Sequence, residues 1–189
     1  MKKLLVLSLI LGITLPLSAF ENPIPEHGRL SISGIINTAN KERISLNNGF
    51  DVTGKSVLGA NFNYELPISD VTSYGVGIAY LTGEKDRFQG NTTDYDYRLF
   101  LVTAKGNYHI NQNIYLSAAM NFSLPTIDKA NIDYSGRLGY EIGAGYIFNE
   151  NFSAELSYLQ INMDVESAGK KGTSLYDTIK GGISYHFYL

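Results

Sequence analysis

Lys105–Leu124, KGNYHINQNIYLSAAMNFSL, decides the fold. Upstream of its turn, Phe100, Val102, Ala104, Gly106, Tyr108 and Ile110 share one parity. Leu99, Leu101, Thr103, Lys105, Asn107 and His109 hold the other. After Asn111-Gln112-Asn113, Ile114, Leu116, Ala118, Met120, Phe122 and Leu124 alternate with Tyr115, Ser117, Ala119, Asn121 and Ser123. A side-chain period of two around a short polar turn predicts a β-hairpin.

The unit recurs. Asn63–Leu66 leads through a Pro/Ser/Asp turn into Tyr74–Tyr80. Gly145–Phe148 leads through Asn149–Asn151 into Phe152–Tyr158. Ser184–Phe187 repeats the incoming half at the chain's end. Three hairpins plus a first and a last strand make eight. Long polar connections are expected over 39–55, 83–96, 125–136 and 164–175, alternating with short turns. The strand from Phe152 loses clean alternation near Gln160, where a bulge or a membrane edge is expected. Alternating segments of about ten residues suit tilted strands crossing a bilayer, with short turns on one side and longer loops on the other.

The 189 residues leave room for one β domain, and there is no Cys to form a disulfide or act as a thiol nucleophile. Met1–Ala19 has a basic start at Lys2 and Lys3, an apolar run from Leu4 to Ile13 and a small-residue exit. It reads as a secretory signal, with the β domain over 20–189. Losing Lys2 and Lys3 takes the net charge from −3 to −5, which argues against a nucleic-acid partner.

Alternation alone suits either a membrane barrel or a soluble calyx, so the second parity decides. It holds Gly59, Asn61, Asn63, Glu65, Gly75, Gly77, Ala79, Ser117, Ala119, Asn121, Gly139, Gly143, Gly145, Gly182 and Ser184, most of them small. A water-facing surface would carry more Lys, Glu and Gln. The narrow interior of an eight-stranded barrel favours small residues. The apolar parity therefore faces lipid. Its aromatics form two belts, with Tyr64, Tyr74, Tyr108 and Tyr146 near the short turns. Tyr80, Phe100, Phe122, Tyr140 and Tyr158 lie toward the long loops. The predicted fold is an all-β, eight-stranded antiparallel up-and-down transmembrane β-barrel.

The chain here resembles the small eight-stranded outer-membrane proteins of the OmpA, OmpX and OmpW type. The last strand carries much of the resemblance: Lys180, Gly182, Tyr185 and Phe187 look like the C-terminal signal read by the outer-membrane assembly machinery. This chain departs from that pattern by adding Tyr188 and Leu189. The resemblance implies an outer-membrane location with periplasmic termini, in contact with lipid and lipopolysaccharide.

The inward parity places Glu65, Lys105, Arg137, Glu141, Glu155 and Lys180 in the lumen. Charges there must pair or stay wet, so an internal ion-pair network is expected, with a narrow selectivity path as the alternative. His27, His109 and His186 are expected near the short-turn rim without metal-site spacing. No cofactor motif and no nucleophile motif appears. The expected function is structural, with surface contacts through the four long connections. The alternatives are a narrow channel for small solutes and, less in keeping with the residues, a lipid A-modifying enzyme.

Overall fold

The computed structural model describes residues 26–45, 50–53, 57–83, 86–88, 91–93, 97–127 and 133–188. The leader expected over 1–19 lies outside them. The described strands are β1 (Arg29–Ile44), β2 (Phe50–Thr53), β3 (Val57–Ser69), β4 (Thr72–Gly83), β5 (Asp86–Phe88) and β6 (Asn91–Thr93). They continue with β7 (Tyr97–His109), β8 (Ile114–Ile127), β9 (Asp133–Gly136), β10 (Leu138–Asn149), β11 (Phe152–Ser167) and β12 (Lys170–Tyr188). Eight of these pair antiparallel in the order β12-β11-β10-β8-β7-β4-β3-β1, and β1 pairs back onto β12. Closure removes every free edge from the ring.

The three short turns share one device. A polar side chain at the first position accepts from backbone N–H groups at the turn's far side. Asn111 Oδ1 accepts from Asn113 (2.9 Å) and Ile114 (2.8 Å). Asn149 Oδ1 accepts from Asn151 (2.9 Å) and Phe152 (3.0 Å). Ser69 Oγ does the same for Thr72 (3.2 Å). Such residues bond their own backbone two or three positions on, and so fix the reversal.

The pleat then sorts the side chains. Leu58, Ile142 and Ile183 are 61%, 59% and 64% exposed, and Ile78, Val102 and Leu116 also point out of the ring. Soluble proteins do not carry such a continuous apolar band, whereas a bilayer covers it. Phe100 stacks on Tyr80 at 4.9 Å and Tyr140 on Tyr158 at 6.1 Å, along the upper margin of the band. Tyr146–Phe148 and Phe152–Tyr185 pair similarly along the lower margin.

Above the upper aromatics the wall differs from the sequence reading. Residues 164–175 are not a loop. β11 and β12 pair continuously from Phe152↔Tyr185 to Ser167↔Lys170. Sixteen residues at about 3.3 Å each make roughly 50 Å of strand. That far exceeds the nine to eleven residues a tilted crossing needs. β2, β5 and β6 likewise occupy parts of 39–55 and 83–96, and β9 lies within 125–136. Strand β11 has no bulge at Gln160. The alternation persists there and its polarity reverses. Leu159, Ile161, Met163 and Val165 point inward, while Gln160, Asn162, Asp164 and Glu166 share the outward parity. A chain leaving lipid for water must make this exchange. In β1 a bulge between Thr38 and Lys41 does the equivalent job, and Glu42 and Ile44 become the inward pair.

The β11–β12 hairpin closes through Ala168 and Gly169, with φ of 50° and 75°. Two positive φ values are what a type I′ turn requires, and they match the strands' twist. Ala168 bears a Cβ in the left-handed region, at about 1–2 kcal/mol. Ala168→Asn is expected to relieve part of that strain. Hydrogen exchange at the Glu166 and Lys171 amides should then slow, whereas unchanged rates would argue that the turn is unstrained.

Candidate functional site: the barrel lumen

Inward side chains fall into two layers. The lower one, nearer the short turns, is polar and built around three carboxylates. Glu65 on β3 accepts from Arg29 on β1 (Nε 3.1 Å, Nη2 3.0 Å), and from Ser73 on β4 and Asn107 on β7. Glu155 on β11 accepts from Lys105 on β7 and from the Tyr115 hydroxyl on β8 at 2.9 Å. Glu141 on β10 accepts from Lys180 on β12 and from Ser157 Oγ at 2.7 Å. Three cations meet three carboxylates, and each carboxylate holds at least one further hydrogen bond. This is the condition under which buried ion pairs are tolerated. The Lys105–Glu155 pair reaches between strands that have β10 and β8 between them, so it braces the ring across its width.

Small inward residues make room for this. A Cβ on Gly145 would sit 2.1 Å from the Tyr115 ring, so that glycine is the space Tyr115 occupies. Lys105 Nζ lies 5.6 Å from the same ring's centre.

The upper layer centres on an apolar plug, with the polar Asn37, Ser174 and Thr178 buried at the same height. Leu81, Leu99, Leu101, Leu159, Ile161 and Met163 are at most 2% exposed and pack with Ile35, Val57, Ala79 and Tyr176. Between the layers is a cavity of about 60 Å³, lined below by Arg29, Lys105 and Glu155 and above by Leu81, Leu101 and Leu159.

Of the six charged residues read as luminal, Glu65, Lys105, Glu141, Glu155 and Lys180 do face inward together. Arg137 does not join them. It interrupts the wall between β9 and β10, is exposed, and pairs with Asp164 at 3.2 Å. Its parity is right, but it lies above the polar layer, where Gly136 packs against Ser123 too closely for any Cβ. The sequence reading missed Arg29 and Tyr115. Arg29 shares its parity with Ser31 and Ser33, which was the available signal.

The histidines do not assemble. His27 is exposed. His109 is buried beside Ser73 (3.5 Å) and the Tyr115 ring. His186 lies between Ser31 (Nδ1, 2.7 Å) and Ser153 (Nε2, 2.8 Å). Both of its ring nitrogens face hydroxyls inside the wall, so this Ser–His contact is a buried tie. Among the described residues no group of three His, Cys, Asp or Glu could hold a metal.

Just above the outer aromatics, outside the spanning segments, Asp177 gathers Tyr158 (2.7 Å), Gln160 (3.0 Å) and Arg43 (2.7 Å). Partial burial pushes its carboxyl up, but the hydrogen bonds from Gln160, Tyr158 and Arg43, with Arg43's charge, outweigh that and hold it below 3.8. A lowered carboxyl stabilises the fold fully above its unfolded value and loses that contribution as pH falls through the folded one. The wild-type protein should therefore lose stability more steeply than Asp177→Asn on acidification below about pH 4, the ordinary carboxylate range. Parallel pH curves in urea unfolding would contradict this.

The comparisons agree with this geometry. OprG from Pseudomonas aeruginosa is 13% identical, with 89% of this chain and 100% of that chain covered and a TM-score of 0.59. AlkL, determined in DMPC lipid bilayers, is 16% identical over 91% and 94%, with a TM-score of 0.58. Neisserial surface protein A is 13% identical over 84% and 97%, with a TM-score of 0.55. At these identities the likeness concerns the fold. No curated protein matches. The family model for the outer membrane protein beta-barrel domain matches residues 7–187, so the chain belongs to that family and is a β-barrel of the outer membrane.

Proposed function

We propose that this protein is a closed structural barrel that supports the envelope and makes surface contacts through its tall rim. The short turns and the termini face the periplasm, and the β11–β12 hairpin stands outside. Arg43 and Asp177, just above the outer aromatics, meet lipopolysaccharide headgroups. Lys180, Gly182, Tyr185 and Phe187 on β12 serve the assembly machinery, and a signal over 1–19 delivers the chain.

The observation that carries this reading is the apolar plug, whose leucines at 81, 99, 101 and 159 fill the lumen above the ion pairs. Eight strands leave an interior that side chains just fill. In planar bilayers the purified protein should show no conductance steps above background. Reproducible steps would instead support the narrow-channel reading, which the polar lower cavity favours. Shortening the 164–175 hairpin should abolish surface adhesion while leaving heat-modifiable gel migration intact. Adhesion equal to wild type would remove the surface role.

A further inference from the structure

The cavity beneath the plug has polar atoms that no protein group satisfies. Arg29 spends Nε and Nη2 on Glu65, and its Nη1 has no partner although the residue is only 2% exposed. Asn107 gives its amide nitrogen to Glu65 and Ser73, which leaves Oδ1 unpaired. Asn61 Oδ1 is unpaired as well. All three residues line the cavity, beside Lys105, Glu155 and the Tyr115 ring.

Buried polar atoms are paired, and where protein cannot pair them ordered water does. A donor and two acceptors around one polar space supply the two to four partners such a water needs. The charges that line the cavity, Arg29, Lys105 and Lys180 against Glu65, Glu141 and Glu155, balance, so no counterion is called for there.

We propose that this cavity is a hydration site holding a cluster of ordered waters bound by Arg29, Asn61 and Asn107. Its volume of about 60 Å³ suits roughly four to six waters. The cluster wets the lower ion pairs and ends at Leu81, Leu101 and Leu159.

Two tyrosines make the test internal. Tyr115 borders the cavity and Tyr176 packs in the plug, and they are 5% and 4% exposed. Radiolysis of water generates hydroxyl radicals wherever water is bound, and mass spectrometry of the folded protein in micelles reads the products. Tyr115 should be oxidised several-fold faster than Tyr176. Asn61→Leu, which removes an acceptor and fills space, should lower the Tyr115 rate toward that of Tyr176 with heat-modifiable migration unchanged. Equal rates at the two tyrosines in the wild-type protein would overturn the proposal. So would a Tyr115 rate indifferent to Asn61→Leu. Should that variant not fold, the wild-type comparison decides alone.

Discussion

Replacing Glu155 with alanine is expected to destabilise the barrel by about 3–5 kcal/mol, the cost of leaving one member of a buried pair without its partner. Lys105 and the Tyr115 hydroxyl both converge on this carboxylate from other strands. Its removal leaves an ammonium group inside a wall it cannot leave, because Lys105 is anchored on the inward parity of β7 and is only 19% exposed. Removing both charges is a different experiment. The Lys105→Met, Glu155→Met double variant should recover most of the loss, since matched apolar replacement of a buried pair is often neutral. Urea midpoints of the heat-modifiable band for wild type, the single Lys105→Met and Glu155→Met variants and the double variant measure all four corners of the cycle. A Glu155→Ala barrel as stable as wild type would mean the pair is wet and contributes little.

The second large effect lies in the plug. Leu159→Ala should cost about 2–5 kcal/mol, because a fully buried leucine leaves both its transfer energy and a cavity behind. Leu156, three residues earlier on the same strand, is 63% exposed on the lipid side. Leu156→Ala loses only the transfer part, since acyl chains close over the gap. The ratio of the two costs separates a packed interior from a merely lined one. Equal costs would indicate that the upper lumen is open.

Much of this architecture was legible from the period-two pattern, because a pleat leaves no choice about which residues share a face. Parity of Leu58, Ile78, Val102, Leu116 and Ile142 placed them in lipid correctly. Of the bulge or membrane edge expected near Gln160, the bulge is absent, since pairing there is regular. At Tyr158 the apolar set passes from the outward face to the inward one, and Leu159–Glu166 alternates as cleanly as before with the opposite sense. A reading that holds one face apolar throughout sees this as a break. The same assumption turned 164–175 into a loop, since Ala168-Gly169 lacks the Asn-Gly or Asp-Gly signature of a tight turn. Arg137 was misplaced for a related reason. Parity gives the side of the wall, and height along the strand decides whether that side is lumen or open rim. Arg29 and Tyr115 completed the polar layer from positions whose parity was plain but whose partners, on other strands, depend on register.

The exchange of faces along β11 is the claim on which the membrane boundary, the plug and the closed lumen all depend. The chain has no cysteine, so single Cys substitutions along β11 can each carry a nitroxide without background. The measurement is accessibility to oxygen, which concentrates in lipid, against a water-soluble nickel complex, for the barrel in liposomes. Labels at Phe152, Leu156 and Tyr158 should favour oxygen, those at Asn162, Asp164 and Glu166 should favour nickel, and those at Leu159, Ile161 and Met163 should meet neither. Oxygen contact at Leu159, Ile161 and Met163, or the absence of any switch between Tyr158 and Asn162, would contradict the account.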